Sequence, residues 1–214
     1  MEKLAAIKSR KKNIYPFVFV DPRRIAAEAT ASKPYFDYEV TDDGKVKLKD
    51  SFIKDHFENE DADKNFSGFK IYPALGYYPF DPLLLPLWKY AEQKELPILT
   101  HCVRGPMYYR GQKKDEWNYH PIFEQIMGNN IVEEENDEEE NENNTTEENT
   151  YYSALLLPQL KNSEFSANFT HPLNFVCLLK KEFLAKAVDI AYKNASDTEK
   201  KNLKIIFGFT PSEE

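Results

Sequence analysis

An apolar run, Pro97-Ile98-Leu99, ends in Thr100 and His101, and Arg104 follows three residues later. In a parallel α/β protein the carboxyl ends of the strands form the functional rim, so a polar side chain closing a buried strand is placed for chemistry. Arg104 can clamp an acidic substrate, or it is simply a solvated loop arginine. Tyr77, Tyr78, Tyr108 and Tyr109 lie on the two loops that would overlook the rim, where aromatics serve as pocket walls or as packing. His171, in Thr-His-Pro, and His120, also before proline, are candidate ligands or capping and packing residues. His56, inside a polar helical stretch, is the weakest candidate.

The elements that must position these residues follow from the punctuation of the chain. A first buried strand is expected over Ile14 to Val20, and the polar turn Asp21-Pro22 leads into a helix through Ile25, Ala26 and Ala29. Two short alternating runs, Tyr35 to Val40 and Lys45 to Leu48, flank Thr41-Asp42-Asp43-Gly44 and read as a hairpin on the rim. A helix near Phe52 to Phe57 returns the chain to a strand at Phe69 to Tyr72. Asp81 and Pro82 suit the N-cap and first position of the next helix, whose apolar face holds Leu84, Leu87, Trp88 and Ala91. Pro97 then opens the strand ending at His101, which makes a βαβ unit with both strands covered on both faces. A helix is expected from Pro121 to Met127, and further helices from Pro172 to Phe183 and Leu184 to Lys193, with Phe175, Leu178, Leu179 and Ala187 as core candidates. The last strand is expected at Leu203 to Phe207.

Composition fits one globular domain over residues 1–214, since the chain is 41% hydrophobic and 14% aromatic. The formal charge of −8 is local: ten carboxylates lie in Glu133 to Glu148, and without them the remainder carries +2. That stretch, within an acidic low-complexity loop spanning residues 133–150, has no apolar face at any period and reads as a solvated loop. No basic stripe emerges elsewhere, so nucleic acid is not an expected partner. No apolar run approaches the about 20 residues a membrane helix needs, and the N-terminal stretch lacks the apolar centre of a signal peptide. A cytoplasmic location is expected. Cys102 and Cys177 each sit in an apolar stretch and read as small buried side chains. The sequons at Asn144, Asn168 and Asn194 have no secretory context and read as incidental.

Four phrases, YPFVFVDPRR (Tyr15 to Arg24), GFKIYPALGYYPFD (Gly68 to Asp81), LPLWKYAEQKELPILTHC (Leu85 to Cys102) and THPLNFVCLLKKE (Thr170 to Glu182), resemble, in the same order, the amidohydrolase-related metal-dependent hydrolases. The resemblance covers most of the chain outside the hairpin and the acidic loop. It implies an α/β fold of the TIM-barrel-like (β/α)n kind. About four core β/α units are visible, an incomplete barrel with a rim hairpin and the acidic loop.

The resemblance further implies hydrolysis of a C–N bond, or decarboxylation, of a small organic substrate, with a divalent metal, zinc or manganese, as cofactor. The family draws its metal site from a His-x-His pair on the first strand, a His closing the fifth, another closing the sixth and an Asp on the eighth. His101 matches the fifth-strand position. This sequence has no His-x-His pair, and Phe209 in LKIIFGF stands where the sixth-strand His would be. The metal candidates therefore reduce to His101 and His171, and the chain alone is expected to be inactive. Lys70 falls in the fourth-strand match: it can bind a substrate carboxylate, it bridges metals after carboxylation in some relatives of the wider superfamily, or it is a buried or snorkelling lysine. Substrate contacts are thus expected from Lys70, Arg104, Tyr77 and Tyr108. The competing reading is a non-catalytic remnant that acts through binding or assembly. In either case an open sheet leaves strand edges through which copies can associate.

Overall fold

The computed structural model describes residues 14–61, 65–102, 107–123 and 161–211. The acidic loop, Arg104 and residues 124–127 of the helix expected after Pro121 lie outside them. Strand β1 (Phe17–Phe19) runs into helix α1 (Pro22–Ala27), whose start is capped by Asp21 accepting from the Arg23 N–H. Strands β2 (Tyr38–Val40) and β3 (Val46–Leu48) form the antiparallel hairpin, and helix α2 (Phe52–Phe57) follows, capped by Ser51. Strand β4 (Gly68–Lys70), a 3₁₀ turn at Pro73–Leu75, helix α3 (Leu85–Gln93) and strand β5 (Ile98–Leu99) complete the βαβ unit. A second 3₁₀ turn spans Asp115–Asn118. Helices α4 (Asn162–Thr170), α5 (Leu173–Leu179), α6 (Lys181–Lys193) and α7 (Asp197–Phe207) follow.

The protein is thus mixed α/β, with a parallel sheet of order β1-β4-β5 and a separate two-stranded hairpin. No closed barrel is formed among the described residues. Register is fixed by Val18 opposite Phe69 and Phe69 opposite Ile98. Residues paired across parallel strands share a face, and on this face Val18 and Phe69 are fully buried. Phe69 packs against Phe57 of α2 and Trp88 of α3, with ring centroids 4.5 and 6.4 Å away. Gly68 permits the strands to close up: a Cβ there would lie 2.3 Å from the Pro97 carbonyl oxygen and 2.7 Å from the Phe17 ring. The hairpin lies over the helical side, where the Val46 N–H donates to Gln93 Oε1 at 2.8 Å. Gly44, at φ +79°, turns it with only 2.9 Å between a notional Cβ and the Ile205 carbonyl oxygen.

Several expectations are corrected. The run Leu203 to Phe207 is the end of helix α7, not a strand, so among the described residues the parallel sheet has three strands rather than four. Five apolar-rich residues suit either state; here the ends decide. Ser196 and Glu199 form a reciprocal capping box, and Gly208 ends the helix at φ +58°. Leu203 and Ile206, one turn apart, are the buried pair. Strand β5 is not covered on both faces: Ile98 and Leu99 are 39% and 50% exposed, at the margin of the sheet where, among the described residues, β5 pairs with β4 alone. Cys102, just beyond it, is exposed as well, whereas Cys177 is buried and its thiol is pushed up to about 12 by desolvation. Leu179, a core candidate, is 82% exposed at the last position of α5. Asp81 lies ahead of α3 rather than capping it. It caps the preceding turn, its Oδ1 accepting from the Leu83 N–H at 3.0 Å and its carbonyl from the Leu84 N–H at 2.8 Å.

Candidate functional site

The carboxyl ends of the three parallel strands form one edge, with Val20-Asp21, Ile71-Tyr72 and Thr100-His101 leaving it in turn. Pairing continues just past the strands, through Val20 N–H to the Lys70 carbonyl at 2.8 Å and Ile71 N–H to the Leu99 carbonyl at 2.9 Å. Phe19, Lys70 and Leu99 are in register. They share the face opposite Val18 and Phe69, and His101, two residues beyond Leu99, falls on it by the two-residue period of a strand.

The two candidates of the βαβ unit meet there. Lys70 Nζ lies 2.6 Å from His101 Nδ1. With Lys70 an ammonium, Nζ donates, Nδ1 accepts, and the neutral ring carries its proton on Nε2. Desolvation lowers the Lys70 pKa from the usual lysine value, opposed by the nearby Cys102. The edge of the Tyr72 ring meets the His101 ring at 4.7 Å between centroids, so the imidazole is held from a second side. The pair can pass a proton between an amine and an imidazole, or present an N–H from each to a carboxylate or a developing oxyanion.

A brace not expected from sequence fixes this edge. Arg23 Nε donates to Asp21 Oδ1 at 2.9 Å, a second guanidinium nitrogen pairs with Oδ2, and Nη1 reaches the Leu75 carbonyl at 2.8 Å. The loop after β1 is thereby tied to the loop after β4. The DPRR phrase contains the signal, an N-capping acid two residues before an arginine, but the partner on the other loop is visible only in the fold.

The remaining candidates are elsewhere in the chain or differently occupied. Tyr77 is buried, donating through its hydroxyl to the Val20 carbonyl at 3.2 Å and accepting from the Tyr72 N–H at 2.8 Å, so it is a strut under the rim. Tyr108 is half-buried, with the Arg110 guanidinium 5.0 Å from its ring centroid. His171 stands at the α4–α5 junction, where its Nδ1 accepts from the Leu173 N–H at 3.2 Å and desolvation lowers its pKa. His120, beside it, is buried: Nε2–H donates to Asn174 Oδ1 at 2.9 Å and Nδ1 accepts from the N–H groups of Ile122 and Phe123. His56 Nδ1 bonds to the Phe52 carbonyl at 2.7 Å, one turn back on α2. Asn168 is buried within α4, which leaves its sequon without an exposed acceptor amide.

Among the described residues no three His, Cys, Asp or Glu side chains stand together as a metal-holding group. His101 has Lys70 and Tyr72 as its neighbours, and His171 is engaged at a helix start. The described residues therefore do not by themselves fit a three-ligand metal site. Comparisons with family models, with curated protein sequences and with solved structures each returned no match. Among the described residues no helix is long and apolar enough to cross a membrane.

Proposed function

We propose that the chain is an amidohydrolase-related hydrolase domain for a C–N bond or a carboxylate of a small organic substrate, which binds that substrate at the edge where β4 and β5 end but, lacking part of the metal site, does not turn it over alone. The observation that carries this reading is the 2.6 Å contact of Lys70 with His101, because it joins the two positions that the family resemblance marks on adjacent strands. In this reading Lys70 holds the negative end of the substrate, and His101 presents Nε2 to the reacting end. The Asp21–Arg23 brace keeps the two loops at a fixed separation. The sheet is then one arc of a (β/α)n barrel, which accords with parallel strands that lie side by side in the order they occur in the chain, the hairpin set aside, and with helices packed on one face. A divalent zinc or manganese ion would supply an activated water and polarise the scissile group. It would need ligands beyond those the described residues bring together.

The test is calorimetric titration of the 214-residue chain with zinc and with manganese, followed by assays on simple amides, esters and carboxylates. The expected result is weak metal binding and no turnover above the metal alone, with substrate-like carboxylates binding in a manner lost in Lys70→Met. Carboxylates that bind equally well to Lys70→Met would remove the rim from consideration. Submicromolar metal affinity lost in His101→Ala would instead show a complete site. The second reading, a non-catalytic remnant acting through assembly, is favoured by one observation: Phe19 and Leu99, on the same face as Lys70, are 41% and 50% exposed.

A further inference from the structure

A second concavity lies away from the Lys70–His101 contact, between the loop after β4, the 3₁₀ turn at Asp115–Asn118, and helices α4 and α6. Its volume is about 200 Å³, below the roughly 300–1,000 Å³ of pockets for drug-sized ligands. It therefore suits a headgroup of few atoms. Its walls include Tyr78, Phe80, Trp117 and Phe169, and its polar lining includes the carboxyl groups of Asp81 and Glu116. The rings of this wall pack on one another edge to face: the Tyr78 and Phe169 centroids are 4.8 Å apart, and those of Trp117 and Phe169 are 5.0 Å apart.

The charge balance of this lining selects the ligand. Among the described residues of this lining, two carboxyl groups and several aromatic rings stand against one cation, Lys114. Lys114 already shows what the wall attracts: its ammonium lies 5.6 Å from the Trp117 ring centroid and 3.4 Å from Glu116 Oε1. An anion would meet Asp81 and Glu116, and a neutral apolar group would strand the Asp81 carboxyl in a dry site. A positively charged group with methyl substituents satisfies both, since it loses little hydration on entry and is attracted by ring faces and carboxylates together. Lys114 is 58% exposed along its side chain, so it can swing out to make way.

We propose that this cavity binds a small substituted ammonium ion, with Tyr78, Phe80, Trp117 and Phe169 as the cage and Asp81 as the counter-charge. Asp81 is suited to that role because desolvation pushes its pKa up to about 6, so an entering cation relieves a carboxylate short of compensation. The site is independent of the reading of the rim.

The test is calorimetric titration of the full chain with choline and with its uncharged isostere 3,3-dimethylbutanol, at low ionic strength. Choline is expected to bind and the isostere is not. Asp81→Asn keeps the oxygen that accepts from Leu83 and should weaken choline by roughly tenfold through the lost charge. Lys114→Ala, at an exposed position, should tighten it by about threefold because the competing ammonium is gone. Equal binding of the two probes, indifference to Asp81→Asn in a folded variant, or failure of choline to bind both the wild type and Lys114→Ala would each overturn the assignment.

Discussion

A buried histidine with every ring atom in use is a structural part that titrates, and His120 is such a part. Two backbone N–H groups point at Nδ1 and Asn174 Oδ1 accepts a hydrogen bond from Nε2–H, while Asn174 Nδ2 donates to the carbonyls of Asn168 and Phe169. One side-chain pair thus holds the residues before Phe123 against the junction of α4 and α5. A proton added to Nδ1 would face two donors inside a site walled by Tyr78, Phe80 and Phe123. Desolvation accordingly brings the His120 pKa down to about 4, opposed by the bond to Asn174, with His171 lowering it further. Since the unfolded chain takes up this proton near pH 6.5, the unfolded state binds more protons between about pH 6.5 and 4. Stability from this residue is full above that window and is lost as pH falls through it, by on the order of 3 kcal/mol. Urea midpoints measured from pH 7.5 to 4.5 should fall more steeply in the wild type than in His120→Gln. Parallel slopes would assign the acid sensitivity to other groups.

At the scale of elements, close approach matters more than propensity. Gly68 is required by the Pro97 carbonyl and the Phe17 ring, whereas Gly208 has no atom within 4 Å of a notional Cβ and is required only by its left-handed backbone. Gly68→Ala must therefore push strands apart and should cost about 2 kcal/mol or more, against about 1 kcal/mol for Gly208→Ala. Denaturant titration of the two variants checks this, and equal costs would mean that the β4–β5 approach is looser than it looks. The same contrast explains what could be read from the chain. Strand β1, the hairpin, α2, β4, α3 and β5 are each bounded by turn-forming residues, and their order was legible. Helix α4, NSEFSANFT, was not, because its buried positions include Ser166, Asn168 and Thr170, which blur any apolar period. In helix α7 the run LKIIF by itself fits a strand, and only the Ser196-x-x-Glu199 box ahead of it marks a helix. At the rim, His101 is marked in the sequence by its place after a strand and Lys70 by the fourth-strand resemblance, but that the two side chains meet is visible only in the fold. The Asp21–Arg23 brace and the Asp81 cavity were not legible, because both join loops far apart in sequence.

At the scale of the whole molecule, the described residues cover the sheet on one face only. Parallel strands normally have both faces covered, since crossover helices on one side leave the other to be filled by further strands or helices. Here the helical face buries Val18, Val20, Phe69 and Ile71, while the opposite face carries Phe19 and Leu99 in the open beside Lys70 and His101. Among the described residues β1 and β5 each pair only with β4, so both outer edges keep backbone donors and acceptors without a strand partner. Apolar surface and edge together favour a second copy of the chain laid against the first, burying Phe19 and Leu99 as a barrel interior would. Sedimentation velocity over a range of concentrations should show a discrete species larger than the monomer, and Phe19→Lys with Leu99→Lys should return it to monomer without loss of cooperative unfolding. A monomer at all concentrations that unfolds cooperatively would show that this face needs no second copy, and the arc-of-a-barrel reading would lose its physical motive.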